Sequence, residues 1–219
     1  MDLLKAAKDR HAVRSYLDKP VASDLRTTLD ALVDECNRES GLNIQIVWDE
    51  PKAFDSFMAH YGKFSGVTNY VALIGKKDDE EKIGYYGEKI ALTAQALGLN
   101  TCWVAMSYKK VKSVYTLRAG EKLHLVLALG YGATQGVEHK SKSLDEVAKL
   151  QNAPAWFVDG VKCALLAPTA INQQKFYFAL ENGKVIAKPG FGFYTKADLG
   201  IAKFHFELGA GKQNVVWTK

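Results

Sequence analysis

Two short stretches of this chain concentrate side chains able to recognise an anion or a polarised heterocycle. The first, DRHAVRSY, places Arg10, His11 and Arg14 close together. Guanidinium groups are planar, forked donors that match phosphate oxygens or the edge of a polarised carbonyl. The second is APTAINQQKFYF, residues 167–178. Its proline and small residues permit a tight exit from a helix, and Asn172 and Gln174 each offer a donor and an acceptor to a ring edge. Taken singly, either stretch also fits a solvated face or a closed turn, and Gln173 is expected to face solvent.

Other chemistries lack their residues. There is no GxGxxG or Walker pattern, no GxSxG and no HExxH, which argues against a standard phosphate loop, a hydrolase elbow and a zinc protease. Cys36, Cys102 and Cys163 form no CxxC pair, so a disulfide framework, a structural zinc and an iron–sulfur cluster are not expected. His11, His60, His124, His139 and His205 are not at metal-ligand spacing. His124 alternates within an apolar run and reads as a satisfied sheet residue. The lysines of KKVKSVYTLRAGEK read as surface charge.

The elements that must position these residues follow from periodicity and end signals. Residues 2–9 suit a short helix just ahead of Arg10. Ser23 can cap a second helix in which Leu25, Leu29, Leu32, Val33 and Cys36 recur at helical spacing. Asn43–Trp48 reads as a strand, 52–60 as a short helix and Asn69–Gly75 as a strand. Asp78 or Asp79 opens the longest helix, which runs to Leu97. Gly84 and Gly87 inside it suggest close packing. Strands are expected at Thr101–Ser107 and Lys122–Tyr131, the latter apolar enough to be central. Ser143 with Glu146 is a capping-box signature, and Pro154 opens a helix that must stop near Pro168. Asn182–Gly183 turns a hairpin between Lys175–Leu180 and Lys184–Ala187. A helix over Ala197–Leu208 and a strand over Asn214–Trp217 complete the pattern.

Such a mixture of helices with mainly antiparallel strands is α+β. Length and composition agree with one folded unit: 219 residues, 47% apolar and 11% aromatic, are enough for a sizeable core. The net charge of +5 is mild and spread along the chain, so nucleic acid is not an expected partner. No apolar stretch approaches the roughly 20 residues a membrane span needs, and no signal peptide is evident, so a soluble, cytoplasmic protein is expected. Residues 132–142, rich in turn formers and charge, read as a connection between halves 1–131 and 143–219. GEKIALTAQALG at 87–98 and GIAKFHFELGAG at 200–211 share their glycine spacing, which permits two related halves.

With both basic and amide stretches in view, the chain resembles the FMN-dependent nitroreductase superfamily, specifically its branch from anaerobes and thermophiles. The resemblance rests on Arg10, His11, Ala12, Val13, Arg14, Ser15 and Tyr16, on Ala167, Pro168, Thr169, Asn172 and Gln174, and on ALTAQALGLNTCWV. It implies a nitroreductase-like fold and an FMN site held by Arg10, His11, Arg14, Thr169, Asn172 and Gln174. Arg10 and His11 would approach the phosphate, Arg14 the N1 and O2 side of the flavin, and Asn172 the pyrimidine edge. Two departures stand out. Ala12 replaces the usual serine, and the Pro-Thr-Asn stretch lies in the carboxy-terminal half instead of a few dozen residues after the arginine motif. Ordinary members build two sites in a homodimer; the altered order suggests one chain imitating that dimer, with a homodimer as the other arrangement.

The activity this implies is transfer of reducing equivalents from NADH or NADPH, through FMN, to a nitroaromatic, quinone or similar small acceptor. No side chain need act as a proton-transfer catalyst, so no catalytic residue or metal ligand is expected. Phe54, Phe57, Tyr61, Phe64 and Tyr70 could supply a mobile aromatic cover. The alternatives are a flavin-binding or storage protein without turnover, and an anionic-ligand or nucleic-acid-binding module.

Overall fold

The computed structural model describes residues 1–218; Lys219, the last residue of the expected second half, lies outside them. Its centre is an antiparallel sheet in the order β1 (Gln45–Val47), β2 (Asn69–Lys76), β4 (Glu121–Gly130), β3 (Asn100–Val104). Strand β4 is apolar on both faces because both are covered. Val126 and Ala128 join a cluster with Tyr16, Phe54, Phe64 and Tyr70. Leu125, Leu127 and Leu129 point the other way, into a cluster with Leu29, Val33, Ile83 and Ile90. Those last residues come from helices α2 (Ser23–Ser40) and α4 (Glu80–Ala96), so the 3.6-residue spacing of their apolar positions meets the two-residue spacing of β4.

A second layer packs around α7 (Thr195–Ala210). Helix α6 (Ala155–Ala164) and the hairpin β5 (Phe176–Glu181)–β6 (Lys184–Pro189) surround it. Phe206 of α7 lies 5.4 Å from Phe157 and 4.8 Å from Phe178 between ring centroids. Asn182 and Gly183 both have positive φ, 50° and 73°, the backbone that a two-residue turn of right-twisted strands requires.

The two layers meet where α4 crosses α7. Gly84 faces the Ala197 carbonyl so closely that a Cβ would collide with it, and Gly200 faces the Glu81 carbonyl in the same way. The contact is reciprocal: the same 116-residue step relates Gly84 to Gly200 and Glu81 to Ala197. The sequence echo aligned Gly87 with Gly200; the packing instead pairs Gly200 with Gly84, about one turn earlier.

Several boundaries differ from the expected ones. Helix α2 takes Ser23 as a helical residue, with Ala22 in the cap position and no side-chain cap. Asp79 does precede α4, but its carboxylate accepts from the Lys76 N–H instead of capping the helix. The Asn43–Trp48 strand shortens to three residues, β3 ends at Val104, and Lys212–Asn214 is a 3₁₀ turn with Trp217 bridged to Val185. The capping box is present: Glu146 accepts from the Ser143 N–H at 2.9 Å. Its helix, α5 (Leu144–Val147), stops early because Ala148 bridges to Phe178 and the Lys149 N–H bonds the Phe178 carbonyl.

Residues 132–142 form neither helix nor strand and are tied down at both ends. The Ala133 N–H bonds the Ser15 carbonyl, and the Lys142 N–H bonds the Gln174 side chain. Among the described residues no helix is long and apolar enough to cross a membrane.

Candidate cofactor-binding site

The basic stretch is delivered to the sheet by two devices. Helix α1 (Leu3–Asp9) ends at Arg10, whose backbone turns extended. The chain then runs along the free edge of β3, where Ala12 bridges to Thr101 and the Val13 N–H bonds the Thr101 carbonyl at 3.2 Å. From the opposite side, α6 ends ahead of Pro168, Thr169 is extended and Ala170–Asn172 make one short turn. Between these stretches lies a cavity of about 160 Å³, walled by Arg10, Arg14, Cys102, Trp103, Thr169, Ala170, Tyr194 and Asp198, among others. A wider space of about 450 Å³ shares Arg14, Trp103, Ala170, Ile171 and Tyr194 and adds Phe64, Met106 and Phe193.

Arg10 is 3% exposed, and its Nε and Nη1 have no hydrogen-bond partner. An unpaired buried donor is costly, so a cavity-lining guanidinium in this state suits an anionic ligand. Behind it, in α4, the buried Glu88 accepts from Trp103 Nε1 at 2.8 Å and bonds His205 Nε2 at 2.9 Å, and lies 3.6 Å from Arg10 Nε. Trp103 reaches that carboxylate because Gly87 leaves room for its indole. Arg14 is exposed and lines both spaces.

Two acidic groups in the wall behave differently from surface residues. Burial pushes the Cys102 thiol up, so it is a neutral packing group at physiological pH and not a nucleophile. Burial also pushes the Asp198 carboxyl up to about 6, against the opposing pull of its bonds from Gln173 and the Ala170 N–H. Those bonds tie the Ala170–Gln173 turn to the first turns of α7. Ile171 in that turn has φ 48° and is 93% exposed.

The structure brings Arg10, Arg14 and Thr169 to one cavity and places the other expected residues around it. His11 lies beside a void of about 10 Å³ with His139, Glu138 and Ser141, which Arg10 also lines. Asn172 is exposed and donates to the Lys140 carbonyl at 2.8 Å. Gln174 is 1% exposed; it donates to the same carbonyl and to Asn172, and accepts from the Lys142 N–H. Both amides thus fasten the 132–142 connection to the Thr169 segment. Gln173 is not a free surface residue, since it donates to Asp198 and to the Phe193 carbonyl. The expected aromatic cover also divides. Phe54, Phe64 and Tyr70 are core residues with centroids 5.1 and 6.0 Å from Phe54, while Phe57 and Tyr61 are exposed on α3 (Phe57–Tyr61).

Sequence reasoning missed Glu88, Asp198 and Tyr194. A signal existed for Glu88: it follows Gly84 by four residues and precedes Ala91 by three, on a face otherwise made of small and apolar side chains. Asp198 sits similarly, with Ile201 and Ala202 three and four residues after it. Among the described residues no cluster of His, Cys, Asp and Glu could hold a metal ion.

Comparison with known proteins identifies the family and the fold. A family model described as "Putative TM nitroreductase" matches residues 2–210. No curated protein matches. Among solved structures, one described as a "putative nitroreductase" from Thermotoga maritima superposes with a TM-score of 0.68 at 22% identity, covering 97% of this chain and 85% of its own. A nitroreductase family protein from Streptococcus pneumoniae gives 0.52 at 15% identity over 67% of this chain and 98% of its own. One from Desulfovibrio desulfuricans, solved with FMN, gives 0.52 at 17% identity over 67% and 94%. At these identities the structures speak for the fold.

Proposed function

The chain belongs to this nitroreductase family, and on that premise we propose that it is an FMN-dependent oxidoreductase passing reducing equivalents from NADH or NADPH to a nitroaromatic, quinone or similar small acceptor. The observation that carries the reading is the pair of arginines in one cavity, with Arg10 buried and two of its nitrogens unpartnered. FMN would supply reversible two-electron chemistry in this space.

The residues present fit that group. Arg10, a buried fork, suits the phosphate dianion. Arg14, shared by the narrow and wide spaces, suits the flavin edge that becomes anionic on reduction, where a cation favours the reduced form. The Thr169 hydroxyl accepts from the Gln174 N–H at 3.0 Å, which leaves its own proton free to donate. Asn172 and Gln174 hold the Thr169 segment in place through the 140–142 backbone.

The wide space supports turnover over storage, because it leaves an apolar shelf beside Arg14 for nicotinamide and then acceptor to stack. The reciprocal Gly84–Ala197 and Gly200–Glu81 contacts favour the chain acting as a pseudo-dimer with one such site. Titration of the purified protein with FMN, followed by its visible spectrum, tests the premise. Saturable binding is expected, and its absence in folded protein would overturn the proposal.

A further inference from the structure

Glu88 is a carboxylate at 0% exposure in the middle of α4, and it is not part of the cavity wall. A charge taken so far from water is costly unless it is paired and hydrogen-bonded. Both oxygens are used: Oε2 by Trp103 Nε1 at 2.8 Å and Oε1 by His205 Nε2 at 2.9 Å. Among the described residues, Arg10 is the arginine or lysine within ion-pair reach, at 3.6 Å from Oε1. That distance is too long for a hydrogen bond, consistent with Arg10 Nε having no hydrogen-bond partner.

The arrangement therefore holds Arg10 by charge while leaving its donors unspent. Trp103, which also lines the cavity, is fixed by the same carboxylate. We infer that Glu88 is the positioning residue that holds the Arg10 guanidinium in register for a phosphate, so that this site selects phosphorylated over unphosphorylated flavin. The inference rests on the FMN reading above and assigns the selectivity to a residue that touches no ligand. The chain anchors this arginine through α4 and, by way of His205, through α7.

The test is the ratio of affinities for FMN and riboflavin, read by flavin fluorescence on the full-length protein. The wild type is expected to prefer FMN by at least about tenfold. Glu88→Gln, which keeps the shape and removes the charge, is expected to lower that ratio by about tenfold and to change riboflavin binding by less than about twofold. Arg10→Gln should give the same ratio, and the double variant no further loss, because the two residues act as one unit.

A Glu88→Gln protein that retains the preference overturns the inference, and so does one that loses both flavins equally, since that is the signature of a structural role alone. A wild type that binds neither flavin would instead overturn the FMN reading itself. Should Glu88→Gln not fold, His205→Leu reads the same relationship, because leucine has no donor for the carboxylate. His205 lines no part of the cavity, and its loss frees one Glu88 oxygen. A fall in the ratio of about threefold is then expected, and an unchanged ratio overturns the inference.

Discussion

Gln173 donates its side-chain amide to Asp198 at 2.7 Å, joining the turn after Pro168 to the first turns of α7. The carboxylate is buried, and its folded-state pKa of about 6 lies above the ordinary 3.8. Between those values the folded state holds a proton that the unfolded chain has released. Stability from this group therefore falls as pH rises from about 4 to about 6, by about 3 kcal/mol, and is level on either side. Urea denaturation of wild type and Asp198→Asn across pH 4–7 should show their stability difference moving against the wild type through that window. A difference independent of pH would contradict the assignment.

The crossing of α4 and α7 leaves no room for side chains at Gly84 and Gly200. Alanine at either position gains helix propensity of up to about 1 kcal/mol but must push two helices apart, for which about 1–3 kcal/mol is typical. Gly84→Ala and Gly200→Ala are each expected to lower the thermal midpoint, by similar amounts because the contacts are reciprocal. A stabilised variant would show that the helices are not in this register.

How far these features were legible in sequence depended on how local their causes are. The Asn182–Gly183 turn, the Ser143–Glu146 box and the apolar run of β4 are set by neighbours within a few residues, and each stands where its pattern placed it. Ser23 was not the α2 cap, because the backbone enters helical geometry one residue sooner. In the site, Arg10, Arg14 and Thr169 came forward through motif resemblance. Glu88 and Asp198 did not, since their partners His205 and Ala170 lie 117 and 28 residues away in sequence, and acidic residues on helices usually mean solvent. Asn172 and Gln174 look alike as motif residues, yet their bonds to Lys140 and Lys142 follow only from how the 132–142 connection folds back.

Arg14 stands at the junction of the narrow and wide spaces. Arg14→Gln should lower the flavin reduction potential and slow reduction by NADH about tenfold or more, while Arg14→Lys should recover part of both. Stopped-flow reduction and spectroelectrochemical titration would measure these effects. Equal behaviour of the Gln and Lys variants would argue that Arg14 contributes shape and not charge.

Ile171 is β-branched, 93% exposed and held at φ 48°. Such a backbone costs about 1–3 kcal/mol for a non-glycine residue, and little burial is lost on truncation. Ile171→Gly is expected to raise stability by about 1 kcal/mol, after the added chain entropy of glycine is subtracted. Chemical denaturation checks this, and a destabilised variant would mean that the exposed side chain is held by contacts of its own.

The central claim is that this chain binds FMN in the Arg10–Arg14 cavity and lets a reduced nicotinamide reach it. The most direct test is anaerobic addition of NADH, and separately NADPH, to the FMN-loaded protein while the visible bands of oxidised flavin are followed. Rapid bleaching by at least one of them, reversed on adding a quinone or nitroaromatic, is the expected result. Bound flavin that dithionite bleaches but neither nicotinamide reduces would contradict the claim and leave a flavin-holding protein without this reductase activity.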